Sequence, residues 1–411
     1  MRTVEPAGRV SGKRLQGIPR SVWALGFVSM LMDISSEMIH ALLPIYMVTV
    51  LGTSVIIVGV IEGIAEATAS ITKVFSGALS DWLGKRKLLA VIGYGLGALT
   101  KPVFPASPGI DWLIGARFVD RVGKGIRGAP RDALVADVTP PELRGAAYGL
   151  RQTLDSTGAF LGPLLAIALM WMTVNHFQTV FWIAVIPAFL AIYVLIKYVS
   201  EPRNEAPAKR IRWPVHLAAL RALGAGYWWV VGLALVFTLA RFSEAFLILR
   251  GQAAGLPLYL SPAVLVVMAL AFSLSAYPAG MISDRLGRNG VLSVGLALLI
   301  VADVVLAFVP GLTGLASGTA LWGLHMGFTQ GIFSAMIADS APTELRGTAF
   351  GMFHLVSGLA LLSASVLAGF LWESAGYAST FLAGAAFAAV TLSGILVFKR
   401  RGTLPPASGD K

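Results

Sequence analysis

A chain of 411 residues with 56% hydrophobic and only 13% charged side chains is too apolar for a soluble domain, in which about a quarter of residues are charged. Its mean hydropathy is +0.76, and its formal charge of +11 serves orientation rather than nucleic-acid binding, because the excess lies at the termini and between apolar runs. The absence of cysteine excludes disulfides and thiolate metal sites, and five histidines leave little room for a metal centre.

The first 20 residues carry Arg2, Arg9, Lys13, Arg14 and Arg20, and the run that follows is too long for a signal-peptide core. They are expected to form a cytoplasmic tail leading into a retained span. Apolar runs then follow at 22–50, 55–79, 88–105, 110–138, 143–173, 177–199, 227–250, 257–282, 291–310, 313–339, 345–372 and 377–398. A span needs about 20 residues, so the pattern predicts an all-α polytopic membrane protein with twelve transmembrane helices. Lys85, Arg86 and Lys87, the connection 200–226 and the tail 399–411 are basic, whereas the alternate turns are nearly free of Lys and Arg. Both termini are therefore expected in the cytoplasm, and the protein is expected in a bacterial inner membrane.

In the first span Asp33, Glu37 and His40 recur at i, i+4, i+7 on one face. At 1.5 Å per residue the two acids lie roughly 16–23 Å into the helix, near the bilayer centre. The second span places Glu62, Glu66 and Lys73 at comparable spacing. In the turn after it, Gly77 permits close approach, Asp81 can cap a helix N-terminus, and Gly84 takes the bend beside Lys85 and Arg86. The basic residues could merely hold the turn inside. Alternatively Asp81, Arg86, Asp137, Glu142 and Arg144 bridge helices as a cytoplasmic gate in one conformation and part in another.

The fourth run is the most charged, with Arg117, Asp120, Arg121, Lys124, Arg127, Arg131 and Asp132. A charge at the bilayer centre costs about 2.5–3.5 kcal/mol on insertion scales, so these side chains are expected to face a polar pathway or one another. The fifth span holds Arg151 and Asp155 one turn apart, then Gly158, Gly162 and Pro163, whose small bulk and missing N–H suit either ordinary small-residue helix packing or a bend. The seventh span holds Arg241 and Glu244. Beyond these, and apart from Arg250, Asp339 and Arg346 at span ends, the spans of the second half offer only Asp303, His325 and His354. The histidines are read as packing or hydrogen-bonding residues.

Segment 200–226, with Pro202, Pro207 and Pro214, divides the chain into six-span halves at 21–199 and 227–398. The halves repeat. GALSDWLG at Gly77–Gly84 returns as GMISDRLG at Gly280–Gly287, and ADVTPPELRGAAYG at Ala136–Gly149 returns as ADSAPTELRGTAFG at Ala338–Gly351. The second copy supplies Asp284, Arg288, Asp339, Glu344 and Arg346 as gate counterparts. Two repeats in register indicate duplication.

The turn from Gly77 through Lys87 resembles the signature G-x-L-[SA]-D-x-x-G-R-[KR]-[KR] of the Major Facilitator Superfamily. RVGKGIRGA at Arg121–Ala129 is similar to its fourth-helix motif, with Lys124 where Gln is usual and Arg127 where Gly is usual. GAFLGP at Gly158–Pro163 resembles the fifth-helix pattern of the family's proton-coupled exporters, with Ala166 replacing its last glycine. That likeness implies a bend sealed against the eighth span. The resemblance implies a twelve-helix, alternating-access transporter in two pseudo-symmetric halves, with the proton gradient as energy source and no cofactor. Its expected partners are a small-molecule substrate, protons and the lipid bilayer, with no nucleic acid, and a monomer is expected.

Two readings of the buried charges stand: a fixed neutralising network, or conditional pairs in which an acid exchanges a proton as its partner engages substrate. For the second, Asp33, Glu37, Glu62, Glu66, Asp155 and Glu244 are the proton-coupling candidates. Arg117, Arg121, Lys124, Arg127, Arg151 and Arg241 are the substrate-binding candidates, and their forks suit carboxylate or phosphate. The expected activity is proton-coupled efflux of a small anionic or zwitterionic organic molecule. The alternatives are a multidrug exporter of cationic or neutral compounds, an uptake symporter, and a non-transporting receptor or sensor. No nucleophile–base constellation, HExxH motif or nucleotide loop is present, so no enzyme is expected.

Overall fold

The computed structural model describes residues 17–200, 217–330, 332–342 and 345–401. Glu344, most of the linker and the basic residues of the first tail up to Arg14 fall outside what is described, as do the side chains of Asp81, Asp284, Lys399, Arg400 and Arg401. Among the described residues the elements are all helical.

Ten helices are long and apolar enough to cross a membrane: Arg20–Thr49, Val55–Gly77, Arg86–Ala106, Pro141–Met172, Phe177–Tyr198, Ala225–Ala253, Leu258–Ala276, Gly287–Phe308, Arg346–Ala375 and Tyr377–Val397. They are the first to third, fifth to ninth, eleventh and twelfth spans of the sequence reading. The fourth, Ile110–Val138, has the length but too many charges. The tenth is split into Gly311–Thr329 and Ile332–Ser340 around Gln330. Twelve helical columns result, six on each side of the linker.

Several columns break for local reasons. The first stops at His40 and resumes at Leu43 because Pro44, in the first turn of the new helix, has no N–H for the preceding turn. The seventh stops at Ala240 and resumes at Ala245, and the amide of Ser243 donates to Ser365 Oγ at 3.2 Å instead of to its own helix. The repeated turns end on Gly84 and Gly287, both at positive φ (62° and 69°), where an L side chain is strained.

The buried apolar side chains form two clusters. One lies wholly in the first half, near the end where the first span begins, and includes Val22, Leu25, Met32, Tyr94, Leu134 and Ala188. The other is shared by both halves and joins Met38, Leu42 and Ile45 to Phe246, Trp322 and Phe381. The halves are therefore fused at the end opposite the basic turns. The seam runs along the second and eleventh spans: the amide of Ile56 donates to Glu373 Oε2 at 3.2 Å, and β-carbons added at Gly59, Gly63 and Gly369 would strike the facing backbone. Nearer the basic turns Gly84, Gly145, Gly149 and Gly347 have open space. Large apolar side chains such as Trp112, Trp171, Leu274 and Phe370 are exposed on the outside of the bundle, as a bilayer-facing surface requires.

Candidate functional site

The breaks in the first and seventh spans, and the charged face of the fourth, converge on a cavity of about 460 Å³ between the halves. The first half contributes Glu37, His40, Glu66, Arg121 and Lys124. The second contributes Arg241 and Glu244 from the seventh-span break, together with Phe237, Phe242, Trp322 and Met326. One wall is thus ionic, and the facing wall mixes three aromatic rings with Arg241, Glu244 and neutral polar side chains.

Behind the ionic wall the charges are tied in pairs. Glu62, fully buried, accepts from Arg117 Nη2 at 2.7 Å. His40 lies between two acids, with Nδ1 3.3 Å from Glu37 Oε2 and Nε2 3.5 Å from Glu62 Oε2. Arg121 Nη1 is 3.1 Å from Glu66 Oε1, and its Nε is 4.0 Å from Asp120 Oδ2. Asp120 also accepts from Lys101 Nζ at 2.9 Å, and the same ammonium donates to Ser36 Oγ at 3.0 Å. Nearer the basic turns Arg151 donates to Asp155 at 2.6 Å, while Arg131 contacts Asp155 at 3.6 Å and Asp132 at 3.1 Å. The Arg127 guanidinium lies 4.8 Å from the Tyr94 ring centroid, a cation–π distance.

Three charged groups on the cavity wall have no hydrogen-bond or ion-pair partner among the described residues: Lys124, Arg241 and Glu244. Arg241 rests on aromatic faces, 5.7 Å from the Phe237 centroid and 5.8 Å from that of Trp322. Lys124 comes from the first half and Arg241 from the second, so each half presents a cation to the cavity. Of the six basic candidates, Arg121, Lys124 and Arg241 reach the cavity. Arg117, Arg127 and Arg151 are held by Glu62, Tyr94 and Asp155 instead. Among the acids, Glu37, Glu66 and Glu244 line it, while Glu62 and Asp155 stand behind. Asp33 is half-buried beside Gly158, whose added β-carbon would lie 3.1 Å from the Asp33 Cβ.

The gate residues fall into two separate groups. Arg86 bridges to Asp137 and to the Ala133 carbonyl, within the first half. Arg288 bridges to Asp339, and Arg346 Nε donates to the Ala338 carbonyl at 3.1 Å, within the second. Lys85, Glu142 and Arg144 are exposed, and Gly77 packs near Ala129. No ion pair between the halves occurs at this end among the described residues.

The fifth helix touches the column that begins with the eighth span, but its glycines serve another contact. Gly158 and Gly162 face the first span: added β-carbons would come 2.5 Å from the Met30 carbonyl oxygen and 2.7 Å from the Glu37 Cβ. The small residues serve that contact because the two helices lie backbone to backbone there. Sequence reasoning also passed over Lys101, whose only signal was a single lysine inside the third apolar run, and the aromatic rings of the cavity, whose residues are too far apart in sequence to form a pattern. His325 fits the packing side of its reading: it is fully buried edge-on against Trp322 and Phe237, and neither ring nitrogen has a hydrogen-bond partner among the described residues.

The model of the Major Facilitator Superfamily matches residues 25–362 and 263–411 of the chain. An uncharacterised MFS-type transporter of Methanocaldococcus jannaschii is 31% identical over 92% of this chain and 94% of its own length. Multidrug resistance protein MdtH of Proteus mirabilis is 30% identical over 38% of each chain. The crystal structure of a point mutant of the nucleoside transporter NupG superposes with a TM-score of 0.77 at 13% identity, over 92% of this chain and 99% of that one.

Proposed function

The chain belongs to the Major Facilitator Superfamily and is an integral, multi-pass membrane transporter, and from that premise we propose that it exports a small anionic or zwitterionic organic molecule in exchange for protons. The reading places both termini in the cytoplasm of a bacterial cell and the protein in the inner membrane. One observation carries the substrate class: Lys124 and Arg241, one from each half, face the same cavity, and neither lies within ion-pair distance of an acid among the described residues. A carboxylate or phosphate between them satisfies both, and Glu244 stands ready for an ammonium on the same molecule. Because the two cations belong to different halves, one ligand links the halves, as alternating access requires. Proton coupling is assigned to Glu37, which lines the cavity, touches His40 and backs onto Gly162 of the fifth span.

A second reading, export of cationic drugs, is favoured by the three acids and the aromatic rings of the same cavity, and by the partial relative named for multidrug resistance. Thermal-shift screening of the purified protein separates the two, since a ligand at 100 times its Kd stabilises the folded state by about 2.7 kcal/mol. Carboxylates or phosphates are expected to raise the melting temperature of wild type but not of Lys124→Ala or Arg241→Ala. Stabilisation by cations alone, lost in Glu37→Gln, would replace the first reading with the second.

A further inference from the structure

Among its described residues the second half has one fully buried acid that the transport reading does not use. Asp303, on the ninth span, has no exposed surface. Its Oδ1 accepts from the Trp322 indole Nε1 at 3.2 Å, and its Oδ2 has no partner among the described residues. No cation among the described residues approaches it within ion-pair distance. The charged or titratable groups on the surrounding elements are otherwise engaged or turned elsewhere. Arg250 of the seventh span donates to the carbonyls of Leu306 and Val309 and lies 4.2 Å from the Tyr377 centroid. Arg241 and Glu244 face the cavity. His325 packs edge-on against Trp322, at 5.0 Å between centroids, and against Phe237. The twelfth span offers no ionisable side chain between residues 378 and 397.

A second orphan lies beside the first. The seventh span stops at Ala240, so Glu244, which would donate to the Ala240 carbonyl in a continuous helix, is outside the helix, and the Ser243 amide has turned to Ser365. A β-carbon on Gly384 would fall 2.6 Å from Asp303 Oδ2 and 3.2 Å from the Ala240 oxygen. Both oxygens therefore face the same bare Cα, with the Phe242 ring closing the space. Two acceptors with no donor between them are unfavourable in a dry interior, and an ionised carboxylate there lacks any counter-charge. A hydrogen on Oδ2 relieves this: it turns the carboxyl into a donor that can turn toward the Ala240 carbonyl, while Oδ1 keeps the indole.

We propose that Asp303 is a proton-binding site of the second half, set on the seventh-span break so that its protonation governs the cavity wall formed by Arg241–Glu244 and Trp322. With the proton bound, Asp303 ties the end of the seventh span to the ninth. When the proton passes to water in the central cavity, the carboxylate and the Ala240 carbonyl oppose each other. The break then shifts, carrying Arg241, Phe242 and Glu244 with it. The space is too tight, with a ring on one side and the Gly384 Cα on another, to favour a hydrated metal cation. The role rests on the reading of the chain as a proton-driven transporter, but its test needs no substrate, so the two fail separately.

The test is infrared difference spectroscopy of the full-length protein in liposomes as pH is raised. Wild type is expected to show the carbonyl band of a protonated carboxylic acid that diminishes reversibly with rising pH and is missing in Asp303→Asn. In Trp322→Phe, which removes the indole donor and leaves the acid, the same band should move to higher frequency. A spectrum unchanged by Asp303→Asn overturns the proposal. So does a band that stays at full strength at every pH where the protein remains folded, since that is a fixed structural acid. Should Asp303→Asn fail to fold, Trp322→Phe decides alone: an unmoved band rejects the assignment.

Discussion

Arg117 and Lys124 sit two turns apart on one helix and have opposite fates. Arg117 neutralises Glu62, which is fully buried and also borders His40, whereas Lys124 projects into the cavity with no partner among the described residues. Removing one member of a buried pair strands the other, at a cost of about 3–5 kcal/mol. Arg117→Ala should therefore lower the melting temperature sharply, and adding Glu62→Gln should recover part of the loss. Lys124→Ala should change stability by no more than about 0.5 kcal/mol, because it leaves no stranded group. Equal melting shifts in the two single variants would show that the ion pairs do not divide the helix in this way. For coupling, Glu37→Gln keeps the side-chain volume and removes the exchangeable proton. It should abolish proton-driven flux in vesicles and leave substrate-driven exchange at least partly intact. Asp33→Asn, at a site with no ionic partner among the described residues, provides the comparison. Retained proton-driven flux in both would assign the acids to a fixed network.

At the scale of single helices, the fifth span shows what a motif does and does not reveal. Gly158, Gly162 and Pro163 were legible as a place of small bulk, but their partner was not, because a glycine carries no mark of what approaches it. In the structure Gly162 abuts the Glu37 Cβ, so the exporter-like pattern lies directly behind the proposed coupling acid. Gly162→Val should displace the first span at Glu37 and cost about 1–3 kcal/mol through overpacking. Gly149→Val, on the same span with open space around it, should leave melting and transport close to wild type. Matching losses in both would contradict the contact. Other features were readable for a clear reason. The helices follow from long apolar runs, and the charged face of the fourth follows from helical spacing. The pairing of particular charges was hidden: Asp120 takes Lys101 from the third span, and only packing brings those two together. The breaks were equally obscure, since Ala240–Ala245 contains neither Gly nor Pro and is opened by tertiary contact with Ser365.

Across the whole molecule, the seam of the second and eleventh spans closes one end while each set of gate residues stays within its own half. Rocking of the halves should exchange these arrangements. The chain contains no cysteine, so Ile56→Cys with Glu373→Cys introduces the only two thiols. Bridging them with a short bifunctional thiol reagent should arrest transport, while either single variant treated alike should remain active. Undiminished transport in the bridged protein would mean that this seam does not open. The fourth span carries a further consequence, for how the protein is made. As Ile110–Val138 leaves the ribosome it is too polar to enter lipid alone, with each central charge opposing insertion by about 2.5–3.5 kcal/mol. Glu62 and Glu66 precede it by about fifty residues, and Lys101 by fewer, so its counter-charges are already synthesised when it reaches the translocon. Its entry thus becomes a joint event with the second and third helices, which must wait at the lateral gate. The ion pairs that frame the cavity in the finished transporter act first as the passport of its least hydrophobic helix.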